Sequence, residues 1–111
     1  MASVAFSSLA KKIVVSDGTT YGYVAVAPSA PNKPTFLLLH GYPSSSYDWR
    51  NQIQTLSAGG FGAIVPDLLG YGDTDAPGGV GAYRMKTMAQ HMAEILDGEG
   101  VSRCIAVGHD W

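Results

Sequence analysis

Apolar and polar positions along the first third of the chain predict a β-hairpin followed by a loop. Residues 12–15 and 20–26 are rich in β-branched and aromatic side chains, and the turn signal Ser16-Asp17-Gly18 separates them. This pattern is typical of two antiparallel strands. Residues 28–34 contain three prolines. Because proline fixes φ and lacks an N–H, neither a helix nor a central strand continues through this loop.

After this loop, short apolar runs alternate with segments of helical periodicity. The apolar runs at residues 35–39, 63–66 and 104–107 predict strands buried on both faces of a parallel sheet. Between them, apolar side chains recur at spacings of three and four over residues 49–56 and 85–96, which predicts two amphipathic helices. The order of elements predicts an α/β fold, a mostly parallel sheet with right-handed crossovers and an antiparallel N-terminal hairpin.

Composition restricts the class of protein. The chain has 46% hydrophobic and 14% charged residues, and its net charge of −2 gives no attraction for a phosphate backbone or an anionic membrane. The single cysteine, Cys104, cannot form an internal disulfide, and residues 1–10 lack the features of a secretory leader. No apolar run approaches the roughly 20 residues that cross a bilayer. We expect a cytoplasmic protein with neither nucleic-acid nor membrane partners.

The segment Gly108-His109-Asp110-Trp111 follows the last predicted strand and contains a candidate nucleophile. Its pattern is that of a nucleophile elbow, a sharp strand-to-helix turn that lifts one side chain above the sheet. At the start of a helix, the Asp110 carboxylate would be favoured by the partial positive charge there. A carboxylate attacks saturated carbon and leaves an ester. The alternative is an aspartate that only caps the following helix, and the tetrapeptide alone does not distinguish the two.

The segment His40-Gly41-Tyr42-Pro43 ends the third predicted strand, a position that resembles the oxyanion loop of α/β-hydrolases. The backbone amides of Tyr42 and Trp111 are candidates to bind the oxygen that becomes negative when water attacks an ester. A structural role for His40 is favoured over that of catalytic base, which comes late in the chain in this architecture. The residues expected to support the loop are His40, Gly41 and Pro43.

Taken together, the motifs resemble those of the α/β-hydrolase-fold epoxide hydrolases. The resemblance covers most of the chain from Phe36 onward. Its blocks are His40-Gly41-Tyr42-Pro43, Tyr47-Asp48-Trp49-Arg50, Pro66-Asp67-Leu68-Leu69-Gly70-Tyr71-Gly72-Asp73-Thr74-Asp75 and Gly108-His109-Asp110-Trp111. It implies that Asp110 opens an epoxide by attack on carbon, and that a later histidine with an acidic partner activates water to hydrolyse the ester. It also implies two tyrosines of an inserted cap domain that donate hydrogen bonds to the epoxide oxygen.

The resemblance further implies that residues 1–111 are the N-terminal part of an α/β-hydrolase core that ends at the nucleophile elbow, without the cap domain and the C-terminal core. The expected partners are a small-molecule epoxide substrate and the remainder of the same polypeptide or a complementary chain, with no metal or organic cofactor. We expect this segment alone to fold poorly, because its last strand would leave an open sheet edge. Without the later histidine, it should release no diol.

Two alternatives remain open from the sequence. The first is a haloalkane dehalogenase, which resembles this chain in fold, in the aspartate nucleophile and in the tryptophan that follows it. Dehalogenases of this type usually place a side-chain donor such as asparagine after the His-Gly pair, and Tyr42 fits the epoxide hydrolases better. The second alternative is a catalytically incomplete fragment of a split or nicked hydrolase.

The remaining polar groups are given structural roles. The run Gly70-Tyr71-Gly72 has the spacing of neither a phosphate loop nor a dinucleotide fingerprint. Asp67, Asp73 and Asp75 lie in a turn rich in glycine, where carboxylates usually cap backbone groups or face solvent and seldom bind a metal. Structural or surface roles are likewise expected for two further histidines, His91 and His109.

Overall fold

The computed structural model describes residues 6, 8–30, 32–41, 45–76, 85–101 and 103–108. The strands in these parts of the chain are β1 (Ala10–Val14), β2 (Thr20–Val26), β3 (Thr35–Leu39), β4 (Gly62–Pro66) and β5 (Ile105–Gly108). The α-helices are α1 (Arg50–Ala58), which follows a short 3₁₀ helix at Ser46–Trp49, and α2 (Met85–Gly98). Each strand and helix predicted from the sequence is present, with bounds that differ by no more than about two residues.

The five strands form one sheet in the order β1-β2-β4-β3-β5. β1 and β2 pair in antiparallel fashion, and β2 joins the rest of the sheet antiparallel to β4, with Val24 opposite Val65. β3 lies between β4 and β5 and is parallel to both. The predicted α/β fold, a parallel sheet preceded by an antiparallel hairpin, is therefore confirmed.

The side chains of β2 alternate between the two faces of the sheet, as the pleat requires. Tyr21 and Tyr23 belong to one apolar cluster, which also contains Ile95 of α2. Val24 belongs to the opposite cluster, together with Ile53 of α1. The two helices thus cover opposite faces. The connection through α1 runs from β3 to β4, and the connection through α2 runs back from β4 past β3 to β5. Opposite directions on opposite faces give both crossovers the same hand, as the prediction of right-handed crossovers requires.

The two outer strands of this sheet differ in character. β1 carries the exposed lysines Lys11 and Lys12, and charged side chains of this kind discourage the addition of another strand. β5 has no charged residue and exposes 47% of Ile105. Its composition is that of a strand with neighbours on both sides. Within the described ranges, no helix is long and apolar enough to cross a membrane.

Polar contacts fasten α2 to the tip of the β1–β2 hairpin. His91 is buried, with Nε2 2.9 Å from Oδ2 of Asp17 and Nδ1 2.8 Å from the hydroxyl of Tyr21. Because a carboxylate only accepts, Nε2 donates to Asp17, and in the neutral ring Nδ1 accepts from Tyr21. The amide of Ser16 donates to Oε1 of Glu94 one turn further along α2. Burial also raises the pKa of Tyr21 to about 12. The contacts of His91 therefore hold α2 against the hairpin.

Low pH should weaken the contact between α2 and the hairpin, because Asp17 becomes protonated. Hydrogen bonds from Thr19, and then the contact with His91, lower the pKa of Asp17 from 3.8 to about 2. Because the folded value lies below the unfolded one, the ionised carboxylate stabilises the fold above 3.8, and this contribution is lost as the pH falls towards 2. In the chain completed by the rest of its core, the melting temperature should exceed that of the Asp17→Asn variant at neutral pH, and the difference should shrink as the pH falls from 3.8 to about 2. A difference that stays constant down to about pH 2 would contradict this account.

Candidate active site

The two motifs that carry the predicted chemistry leave the sheet from neighbouring strands. β3 and β5 are parallel, and their register places Leu39 opposite Gly108. Since the carboxyl ends of parallel strands lie at the same edge of a sheet, the ends of β3 and β5 lie side by side. Of the predicted site residues, the structure describes His40 and Gly41, whereas Tyr42, Pro43, Asp110 and Trp111 lie outside the described residues, as does His109.

His40 occupies a buried position just after β3, where only 4% of it is exposed. Its Nδ1 lies 2.9 Å from the carbonyl oxygen of Gly41, and its Nε2 accepts from the amide of Leu68 at 2.9 Å. The ring also packs edge-on against Tyr71, with 5.1 Å between ring centroids. Because both nitrogens are engaged with backbone groups, His40 cannot take a proton from water without losing the Leu68 bond. This geometry supports a structural role.

Asp67, directly after β4, is another buried polar residue beside this loop, and only 2% of it is exposed. Its Oδ1 accepts from the amide of Ser46 at 2.8 Å, which satisfies an N–H in the first turn of the 3₁₀ helix. Its Oδ2 accepts from the amide of Asp73 at 3.1 Å. In the same turn, Oδ2 of Asp75 accepts from the amide of Thr20 at 2.8 Å. These contacts agree with the capping role expected for carboxylates in this turn.

Glycine is required in this turn because of the Asp67 carboxylate. Gly72 has a φ of +52°, in the left-handed region that favours glycine. A Cβ at this position would overlap the carboxylate of Asp67. The Gly70-Tyr71-Gly72 run thus has a packing explanation within the turn. In the described part of the chain, no group of three or more His, Cys, Asp or Glu side chains is placed to hold a metal ion.

An open cavity of about 300 Å³ lies against His40. Besides His40, its lining residues are Asp48, Trp49 and Gln52, which come from the 3₁₀ helix and the first turn of α1. Asp48 and Gln52 are exposed and four residues apart, so they lie on one side of the helical segment. The sequence motifs do not single out Asp48 and Gln52 as a pair. Their spacing of four residues after a predicted loop is a signal that would identify them.

Comparison with known proteins identifies the family. The family model that describes the alpha/beta hydrolase fold matches residues 34–111 of this chain. The chain belongs to the α/β-hydrolase family.

The relatives within this family are named as epoxide hydrolases. The chain is 39% identical over 94 residues to epoxide hydrolase 3 of Xenopus tropicalis, a match that covers 85% of this chain and 25% of that protein. It is 45% identical over 78 residues to epoxide hydrolase 3 of Siraitia grosvenorii, covering 70% and 25%. The resemblance to epoxide hydrolases predicted from the motifs is confirmed.

Solved structures give the same result. The crystal structure of an epoxide hydrolase from Vigna radiata superposes with a TM-score of 0.81 at 34% sequence identity, covering 92% of this chain and 30% of that one. Epoxide hydrolase A from Mycobacterium thermoresistibile gives a TM-score of 0.80 at 29% identity, covering 92% and 31%. The chain therefore spans about a quarter to a third of the length of the relatives and structures named above.

Replacement of Gly72 should cost more stability than its backbone conformation alone explains. Gly100 offers a matched control, because its φ is +73° and a Cβ there would meet nothing within 4 Å. Gly100→Ala should cost about 1 kcal/mol for the left-handed backbone. Gly72→Ala should cost about 1–3 kcal/mol more, because the new methyl group displaces the Asp67 carboxylate. Free energies of unfolding from denaturant titration, measured on the chain completed by the rest of its core, give both losses. Equal losses would show that the contact with Asp67 is unimportant.

Proposed function

We propose that this chain supplies the N-terminal part of the core of an epoxide hydrolase, which converts epoxides to vicinal diols through a covalent aspartyl ester. The observation that carries the proposal is the parallel register of β3 with β5, with Leu39 opposite Gly108. This register starts the His40-Gly41-Tyr42-Pro43 and Gly108-His109-Asp110-Trp111 segments from adjacent points, in a chain whose relatives are named epoxide hydrolases. A nucleophile and its oxyanion donors need this proximity.

In the proposed first step, a carboxylate oxygen of Asp110 attacks an epoxide carbon. The carbon–oxygen bond of the strained ring breaks, the released alkoxide takes a proton, and a hydroxyalkyl ester of Asp110 remains. The proton donors are expected outside residues 1–111. Tyr21 and Tyr23 do not suit this role, since both are buried in the core and bonded to His91 and Glu99 respectively.

In the proposed second step, water attacks the carbonyl carbon of the ester. The carbonyl oxygen of the ester becomes negative, and the backbone amides of Tyr42 and Trp111 stabilise it as the charge develops. Collapse of this intermediate releases the diol and restores the carboxylate. His40, Gly41 and Pro43 support the loop that presents the first of these amides. The proposed chemistry needs no metal or organic cofactor, because the nucleophile, the donors, water and the base described next supply every group that reacts, the leaving alkoxide taking a proton as the diol is released.

The second step also needs a base that removes a proton from water. His40 and His91 have both ring nitrogens engaged with other groups. As the resemblance to epoxide hydrolases implies, the base and its acidic partner are proposed to belong to the remainder of the same polypeptide or to a complementary chain. The uncharged, partly exposed β5 strand is suited to pair with such a continuation of the sheet. We place the enzyme in the cytoplasm, in keeping with its single cysteine.

Substitution of the proposed nucleophile tests the mechanism directly. In the hydrolase complete with its base, Asp110→Asn should lower diol formation by at least about 10³-fold, because the neutral amide is a poor nucleophile. Asp97→Asn is the matched control, since Asp97 is an exposed carboxylate on α2, and it should leave the rate unchanged. Undiminished diol formation by Asp110→Asn, with deamidation excluded by mass spectrometry, would refute the assignment.

A substrate comparison separates the proposal from the dehalogenase alternative. The relatives named above are epoxide hydrolases, and none of the observations favours a dehalogenase. The complete enzyme should convert an aryl epoxide such as styrene oxide to its diol and should release no halide from bromoalkanes of similar size. Diol is measured by chromatography and bromide with an ion-selective electrode. Bromide release without diol formation would reverse the assignment.

A further inference from the structure

Both ends of the segment that follows β3 are tied to one dipeptide of a neighbouring loop. At the first end, Nε2 of His40 accepts from the amide of Leu68 at 2.9 Å. At the second end, the amide of Ser46 donates to Oδ1 of Asp67 at 2.8 Å. Because Asp67 and Leu68 are adjacent in sequence, the two ends are held at fixed points relative to each other. Only residues 41–45 lie between them.

We call these two hydrogen bonds, Leu68 to His40 and Ser46 to Asp67, the clamp. Its Asp67 end is itself bonded to the sheet. The amide of Asp67 donates to the carbonyl of Gly22 in β2 at 2.8 Å. The hydroxyl of Thr74 donates to the carbonyl oxygen of Asp67, and Oγ1 of Thr74 accepts from the amide of Gly22 at 3.0 Å. Oδ2 of the carboxylate accepts from the amide of Asp73. The carboxylate that contacts Ser46 thus has a single placement, set by β2 and by its own turn.

We propose that Asp67 is a positioning residue for the hydrolysis step: its bond from Ser46 and the bond from Leu68 to His40 hold the two described ends of the segment that carries the proposed backbone donor of Tyr42. The inference rests on the proposed function, which assigns that donor. Oxyanion donors act only when they are held about 2.7–3.1 Å from the developing charge, and a displacement of about 1 Å can cost about 10²-fold in rate. A buried clamp on both ends of so short a segment restricts such displacements.

The clamp affects the two chemical steps differently. In ester formation, the new negative charge develops on the epoxide oxygen, away from the carboxylate carbon of Asp110. In ester hydrolysis, the charge develops on the carbonyl oxygen of the ester, which the backbone donors are proposed to bind. Loosening of the clamp therefore slows hydrolysis of the ester and leaves its formation nearly unchanged, so that the ester accumulates. A residue that only stabilises the fold does not separate the two rates in this way.

The carboxylate is required because two N–H donors converge on it, one on each oxygen. A carboxylate accepts on both oxygens, whereas an amide of the same shape turns an NH₂ group towards one of the donors. Asp67→Asn therefore loses at least one of these hydrogen bonds. Asp73→Asn is the matched control, because it makes the same change in the same turn while its backbone amide, which contacts Asp67, is retained.

The test is rapid-quench kinetics on the complete hydrolase with styrene oxide, with the ester of Asp110 measured by peptide mass spectrometry. Asp67→Asn should slow ester hydrolysis about 10- to 100-fold, keep ester formation within about threefold, and accumulate ester at steady state. Asp73→Asn should keep both rates. Equal slowing of both steps by Asp67→Asn, or no slowing of either, would overturn the positioning role.

A second variant covers the case in which Asp67→Asn does not fold. Ser46→Pro removes the N–H that Asp67 accepts, at the first position of a helix, where proline is well tolerated. The preceding residue, Ser45, has the extended backbone that proline requires, with φ −154° and ψ −179°. Ester should accumulate in this variant too, and its absence would overturn the role. If the unmodified enzyme forms no ester at all, the proposed function itself fails, which is a separate and recognisable result.

Discussion

The parallel pairing of β3 with β5 is the constraint on which the rest of this structure depends. It places Leu39 opposite Gly108 and so brings together, at one edge of the sheet, the ends of two strands that are distant in sequence. The pairing is possible because α1 and α2 cover opposite faces, which lets the chain reverse direction after β4 and return past β3. A shift of one residue in this register would turn each β5 side chain to the wrong face.

Much of the fold could be predicted from the sequence, because the strongest signals are local. Continuous apolar runs such as Thr35–Leu39 and helical spacing in Met85–Gly98 each identify an element on their own. The order of the strands was harder to predict from the sequence, because no residue pattern in or near β2 shows that it pairs with β4. The tie between His91 and the hairpin tip joins groups 74 residues apart, Asp17 and His91, and has no sequence pattern of its own.

The candidate site was predicted in part. The motifs around His40 and Asp110 could be recognised because turns of this kind need particular residue types at fixed spacing. The clamp on the His40 motif could not be recognised from the sequence. Its partners at Ser46 and Leu68 are backbone amides, which every residue except proline carries. The position of Asp67 in a glycine-rich turn predicts a capping role, but the sequence does not show that the group it caps is the start of the 3₁₀ helix at Ser46.

The central claim is that Asp110 becomes covalently attached to the substrate and that water then attacks the ester at its carbonyl carbon. Isotope labelling over a single turnover in H₂¹⁸O, with the complete enzyme in excess over epoxide, tests it most directly. The mechanism predicts ¹⁸O in the side-chain carboxylate of Asp110 and an unlabelled diol, because the oxygen transferred to the diol comes from the enzyme. Label in the diol and none in the Asp110 peptide would mean that water attacks the epoxide itself, and would contradict the account.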